Sequence, residues 1–419
     1  MTTYISNIKL LVNTRQESHL LHGNELKDLP CIENAYLVIE DGEIAEYGKM
    51  EDRMADLFPG SATIDARGKF VLPCWCDSHT HLVFAGSREL EFVDRIQGLS
   101  YEQIAAKGGG ILHSARKLQD STEDDLFNQA WERLGQLTRM GTGAIEIKSG
   151  YGLTTESELK MLRVIKRLKE QSRIPIKSTF LGAHTYPLQY KQNHQGFIDC
   201  IIQEMLPVIA AEKLADYIDV FCEKGFFSPG ETESICKAGM AHGLKPRLHV
   251  NQLHSIGGIE SGIKLNAVSL DHLETLTHAD IELLSAASRN GGWKGACTLL
   301  PTAAFFLRMP FQPARQLIDA GCAVALASDF NPGSSPSGNM NLVVAMSCIQ
   351  MKMLPEEAVN AATINGACAM ELQQEVGSIT VGKLANIIIT KPVPSLAYIP
   401  YSFGSDLIDK VMIRGEWLE

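Results

Sequence analysis

The stretch Phe70-Val71-Leu72-Pro73-Cys74-Trp75-Cys76-Asp77-Ser78-His79-Thr80-His81 sets an apolar run directly against two histidines two residues apart. Side chains alternate faces along a strand, so residues i and i+2 point the same way. His79 and His81 therefore place two imidazoles on one side of a strand end, where they can ligate a single ion. The pair also has a plain reading, as two structural histidines among the 12 of the chain, and its meaning rests on what the rest of the sequence sets beside it.

Working outward, eight short apolar runs suit buried parallel strands: Phe70 to Trp75, Ala144 to Ile147, Ile176 to Leu181, Tyr217 to Phe221, Arg247 to Val250, Ala267 to Leu270, Gly295 to Leu299 and Ala323 to Ala327. Helix-length amphipathic segments separate them, so the expected fold class is α/β, with a (β/α)8 or TIM barrel. The first unit is overlong. Its residues 82–142 hold the loop Lys107-Gly108-Gly109-Gly110 ahead of a helix around Leu126 to Arg139, as an insertion over the barrel mouth would. Both ends of the chain read as turn-linked strands: Tyr36 to Ile39 and Glu43 to Tyr47 around Asp41-Gly42, a hairpin over Val376 to Lys383, and strands over Ala385 to Thr390 and Asp409 to Trp417. The expected division is a small β-sandwich-like domain from residues 1–70 plus 373–419, and a barrel over 71–372.

Composition narrows the class. The chain has 419 residues, 45% hydrophobic and 21% charged, enough for one large core and a smaller satellite. Its net charge of -11 is dispersed rather than gathered in a tail, which argues against nucleic acid as a partner. Ten cysteines without a CxxC pair, and an opening without a charged segment followed by an apolar one, suggest a reduced, cytoplasmic protein. No apolar run approaches the roughly 20 residues that span a bilayer, so no membrane role is expected.

Barrel enzymes carry their chemistry at the C-terminal ends of the strands. The runs above lead in order to His79 and His81, Lys148, His184, Glu223, His249, His272 and, after the eighth, Asp329. Three imidazoles and a carboxylate, His79, His81, His249 and Asp329, would hold one zinc or iron ion per chain and leave a position for water. An ion of this kind acidifies water toward a pKa of roughly 7, and a carboxylate at its edge can take the proton during attack on a carbonyl or amidine carbon. Asp329 suits that role, because barrel closure makes the first and eighth strands neighbours, and His272 would orient the nucleophile or assist proton transfer.

These residues stand in longer motifs: DSHTHLVFAGSRELEF from Asp77, GGGILHSAR from Gly108, EIKSGYGL from Glu146, FLGAH from Phe180, LHVNQL from Leu248, SLDHLE from Ser269 and ASDFNPGSSPSGNM from Ala327. In this order and spacing the chain resembles the metal-dependent amidohydrolases over nearly its whole length. The resemblance implies hydrolysis of a cyclic amide by metal-activated water, with His79, His81, His249 and Asp329 as ligands of a divalent metal, Zn2+ or Fe2+/Fe3+. SGYGL together with SDFNPGSSPS narrows the implied substrate to 4-imidazolone-5-propanoate, opened to N-formimidoyl-L-glutamate in histidine degradation. The matching substrate positions are Arg88, Tyr151 and His184. Arg88 and Tyr151 suit a carboxylate tail, and a buried histidine can polarise the ring carbonyl. Asn331, Gly333 and Ser334 would hold ring or product atoms through backbone N–H groups and short side chains. LHVNQL departs from relatives that carry an acid after the histidine: Asn251 cannot ionise, and Gln252 can bond the substrate but cannot act as a base. The alternatives are a sister enzyme acting on another cyclic amide or amidine, such as a deaminase, and a non-catalytic scaffold of the same fold. A homodimer is the default assembly.

Other conspicuous residues have plain readings. No GK[ST] follows Gly108-Gly109-Gly110, which favours a loop over a phosphate cradle. Cys74 and Cys76 read as packed thiols. Lys148 lies in the second unit rather than the fourth, which favours a single-metal site over a carbamylated bridge, and Glu146 reads as the neutraliser of a neighbour. Ser121-Thr122 ahead of Glu123-Asp124-Asp125 reads as a helix start.

Overall fold

Strands buried along their whole length read as continuous apolar runs, because both faces are covered. The computed structural model, which describes residues 2–52, 62–99, 103 and 109–418, arranges eight such strands in chain order, buried throughout except at Lys177 and Lys245. They are Trp75–Thr80 (β6), Thr142–Lys148 (β7), Ile176–Ala183 (β8), Tyr217–Cys222 (β9), Lys245–Val250 (β10), Ser269–His272 (β11), Ala296–Leu299 (β12) and Val324–Leu326 (β13). All pair in parallel with their chain neighbours. The barrel closes through a bridge between Thr80 and Phe330, with the Asp329 N–H donating to His79 O at 3.0 Å and the His81 N–H to Phe330 O at 2.9 Å. The backbone bonds that close the barrel thus carry three of the proposed ligands.

One strand is reassigned. Phe70–Pro73 (β5) is not the first barrel strand; it belongs to the terminal sheet, parallel to Thr2–Val12 (β1) and antiparallel to Ile387–Thr390 (β14). The chain changes sheets at Cys74, whose N–H donates to Asn386 O at 2.9 Å, while the Trp75 N–H donates to Gly141 O at 2.8 Å. The terminal sheet also holds Cys31–Glu40 (β2), Glu43–Lys49 (β3), Ala62–Asp65 (β4), Ile408–Ile413 (β15) and Glu416–Trp417 (β16). It curls over its own core of Ile5, Leu37, Val71, Ile387 and Met412, so that Glu43 bridges Leu384. Residues 376–383 form turns with a single bridge from Ile379 to Thr14 rather than the expected hairpin.

Between β6 and β7 the described part of the insertion contains helices Glu89–Ile96, Ile111–Asp120 and Glu123–Arg139. Lys107 and Gly108 of the glycine loop lie outside the described residues, while Gly110, at φ 79°, starts the second helix. Thr122 caps the third by accepting the Asp125 N–H at 3.1 Å, a bond typically worth about 1 kcal/mol. Among the described residues no helix is long and apolar enough to cross a membrane.

Candidate active site

His79 lies in β6 and His249 in β10, and each meets a buried carboxylate from a different barrel strand. Asp271 Oδ2 of β11 is 2.7 Å from His79 Nδ1, and Asp219 Oδ2 of β9 is 2.9 Å from His249 Nδ1. A carboxylate hydrogen-bonded to one ring nitrogen, as Asp271 is to His79, keeps the proton there and leaves the other with a free lone pair, whereas Asp219 lies beside His249 Nδ1 without hydrogen-bond geometry. His79 Nε2 and both ring nitrogens of His249 are buried without a hydrogen-bond partner, as is His81 Nδ1. Asp329 Oδ1 stands 3.5 Å from His79 Nε2 and 3.6 Å from His81 Nε2. One ligand atom each from His79, His81 and His249 lies within 4.8 Å of the others, and the same holds for His79, His272 and Asp329. Buried lone pairs without partners are costly, and a divalent cation would satisfy one on each of the three rings. The residues present fit the ion that the resemblance implies.

The electrostatics agree. Burial, followed by Lys148 at His79, His184 at His81 and His272 at His249, holds all three imidazoles well below the usual histidine range, in the neutral form a metal needs. Burial pushes Asp329 up to about 6, against the pull of His272. Burial opposes a charge on His272 too, but Glu274, 3.2 Å from its Nδ1, raises its pKa. Asn251, His272, Leu273 and Asp329 take left-handed φ of 52°, 86°, 66° and 52°. Four such non-glycine residues around one centre mark strain held by the surrounding structure.

A cavity of about 480 Å³ opens beside this cluster, and its walls include Arg88, Tyr151, His184, Gln252, Asn331, Gly333 and Ser334. The His81 ring lies 5.6 Å from Tyr151 and 5.4 Å from His184, which joins cavity and cluster. Arg88 Nε donates to Ser114 Oγ at 2.8 Å, while its Nη2 is buried without a partner. A Cβ on Gly333 would lie 2.3 Å from Arg88 Nη1, so glycine is what lets the guanidinium lie against that loop. His184 Nδ1 is 3.0 Å from Gly150 O. Burial lowers the His184 pKa to about 4, and a carbonyl only accepts, so Nδ1 carries the single proton and Nε2 is left as an acceptor. This reverses the expected polarity: such a ring accepts from a substrate N–H rather than polarising a carbonyl. The Gly333 and Ser334 N–H groups are also spent internally, on Asn331 Oδ1, each at 2.8 Å. Asn331 thus shapes the loop, and Ser334 Oγ donates to Asp329 Oδ2 at 3.1 Å.

Asn251 does not stand in for a missing acid. Its side chain donates to Asp280 Oδ2 at 3.3 Å, and its carbonyl accepts from Thr275. Lys148 is no bridging ligand either, because Nζ lies 3.1 Å from Glu146, 2.9 Å from Asp219 and 3.6 Å from Asp271. Sequence reasoning missed Asp219, Asp271, Arg247 and Glu274. The available signal was an acid inside an apolar strand, as in Tyr217-Ile218-Asp219-Val220-Phe221.

Comparison with known proteins adds an independent line. A model described as the amidohydrolase family matches residues 227–418. The imidazolonepropionase of Flavobacterium johnsoniae is 57% identical over 417 residues, 99% of this chain and 100% of that protein. That of Parabacteroides distasonis is 41% identical over 419 residues, 98% of this chain and 99% of that protein. Among solved structures, E. coli guanine deaminase superposes with a TM-score of 0.73 at 13% identity, covering 100% of this chain and 99% of its own. At that identity the likeness shows the fold alone.

Proposed function

Because the chain belongs to the amidohydrolases and, within them, to the imidazolonepropionases, we propose that it hydrolyses 4-imidazolone-5-propanoate to N-formimidoyl-L-glutamate. One water is consumed: the ring C–N bond of the amide breaks, the carbonyl carbon becomes a carboxylate, and the ring nitrogen leaves as part of the formimidoyl group. The observation that carries the reading is the junction of an arginine-bearing cavity with a buried cluster of neutral histidines and one carboxylate.

His79, His81, His249 and Asp329 would hold one divalent ion. When bound, it supplies Lewis acidity at the ring carbonyl and lowers the pKa of water. Arg88 anchors the propanoate tail through the N–H groups of its buried Nη2, and Tyr151 closes the same end of the cavity. His184 Nε2 accepts from a ring N–H and thereby orients the carbonyl. Gln252, in the wall of the same cavity, supplies a neutral contact. Asp329 takes the proton of the attacking water, and His272, held through Nδ1 by Glu274, passes a proton to the departing ring nitrogen.

Zinc and iron both suit imidazole and carboxylate donors, so metal analysis of the purified protein decides between them. Ten free thiols support a reducing compartment, which we take to be the cytoplasm. The test of function is the ultraviolet loss of freshly generated 4-imidazolone-5-propanoate, with product identified on the same sample. Formimidoyl-glutamate without ammonia supports the reading. Ammonia release would favour a deaminase, and no turnover by metal-loaded protein would refute the reading.

A further inference from the structure

Glu223 follows β9 at the same end of the barrel as the site, but it is not part of the cavity wall. Its side chain is fully buried at 0% exposure, and both oxygens are engaged. Oε2 accepts the Leu253 N–H at 2.8 Å and the His254 N–H at 3.2 Å. Oε1 accepts the Lys224 N–H at 2.8 Å and lies 2.9 Å from His254 Nδ1. A carboxylate offers about four lone-pair sites, and donors occupy all of them. Three of the four belong to the loop after β10, and the residue just before Leu253 is Gln252. On its other side Asn251, at φ 52°, is tied to Asp280 and Thr275. The chain at Gln252 is therefore fixed from both directions, and the Glu223 end is held by a buried anion whose charge is met by N–H groups.

We propose that Glu223 is a positioning residue: an anionic latch that holds the 251–254 loop so that the Gln252 amide faces the substrate. The proposal rests on the reading above, in which Gln252 touches the imidazolone. An acid just past the end of a neighbouring strand thus fixes a neutral binding residue whose own side chain cannot ionise.

The experiment measures KM and kcat for 4-imidazolone-5-propanoate, with metal content and Tm, in the wild type, E223A, E223Q, Q252A and E223A/Q252A. Loss of one substrate hydrogen bond in Q252A is expected to raise KM about tenfold. E223A is expected to raise KM by a similar factor with full metal content and little change in kcat. The double variant is expected to be no worse than Q252A, because the latch acts through Gln252. E223Q keeps one acceptor oxygen and should fall between. A merely structural role predicts instead that the two factors multiply, and that outcome overturns the proposal, as does folded E223A with wild-type KM. If E223A does not fold, the same cycle with E223Q decides. Wild-type KM in Q252A overturns the latch while leaving the proposed function intact. Absence of turnover in the wild type overturns both.

Discussion

Asp271→Asn is the sharpest probe of the cluster, because it preserves shape and removes one charge. Asp271 Oδ2 lies 2.7 Å from His79 Nδ1 and 3.3 Å from Arg247 Nη2, and the other oxygen accepts from Ser269. An amide has one acceptor oxygen. Turned toward His79, it still takes the Nδ1 proton, as a neutral acceptor roughly half as strong as a carboxylate. Turned away, it presents an NH2 group to His79 and favours the tautomer whose Nε2 carries the proton and cannot ligate. Losing the partner of a ligating histidine typically costs about 10- to 100-fold in metal affinity, or about 1.4 to 2.7 kcal/mol. The first orientation places Asp271→Asn near the tenfold end, and Asp271→Ala, which leaves no acceptor, near the hundredfold end. Zinc affinity by chelator competition at fixed pH measures this, with thermal unfolding of the metal-free proteins as the check on folding. Wild-type affinity in both folded variants would show that the carboxylate does not set the state of His79.

Three further outcomes follow from the same geometry. Arg88→Gln removes a charge-assisted contact typically worth about 1.5 to 3 kcal/mol, so KM should rise at least tenfold with kcat nearly unchanged, and steady-state kinetics showing an unaltered KM would take Arg88 out of tail binding. Gly333→Ala puts a methyl where Arg88 Nη1 now lies, so it should mimic Arg88→Gln in KM while binding metal normally, as kinetics and metal analysis together would show. Asp329 must be ionised to ligate and its carboxyl sits at about 6, so zinc affinity of the metal-free protein should fall about tenfold per pH unit as pH drops below that value, and a flat titration from pH 7 to 5 would exclude Asp329 as a ligand.

The barrel strands from Thr142 onward are legible in the sequence because each is covered on both faces, so Ile145, Val220 or Leu248 is apolar whichever way it points. The same lack of alternation is why the start of the barrel is misread. Phe70 to Trp75 is one apolar run, but it serves two sheets, and no local pattern records the crossing at Cys74. The residues 376–383 fail as a hairpin for a related reason: their glycines and short side chains describe turns, and their partners, Thr14 and Ile44, lie more than 300 residues away in the sequence.

In the site, legibility follows the reach of a motif. His79 and His81 announce themselves because two residues on one strand share a face, whereas Asp271 acts across the barrel on His79 and Asp219 acts on His249 of the neighbouring strand. Each acid looks like a defect in an apolar strand until the fold shows what it holds. Physically the two belong to one buried assembly: Lys148 and Arg247 stand against Asp219, Asp271 and Glu146 beneath the histidines. Burial pushes Asp271 toward its neutral form, yet Arg247 and Lys148 keep its pKa below the ordinary carboxylate range. An ionised Asp271 is what fixes the His79 tautomer. The two cations therefore reach the site indirectly, by keeping a buried acid charged so that an imidazole stays neutral with its lone pair facing the ion.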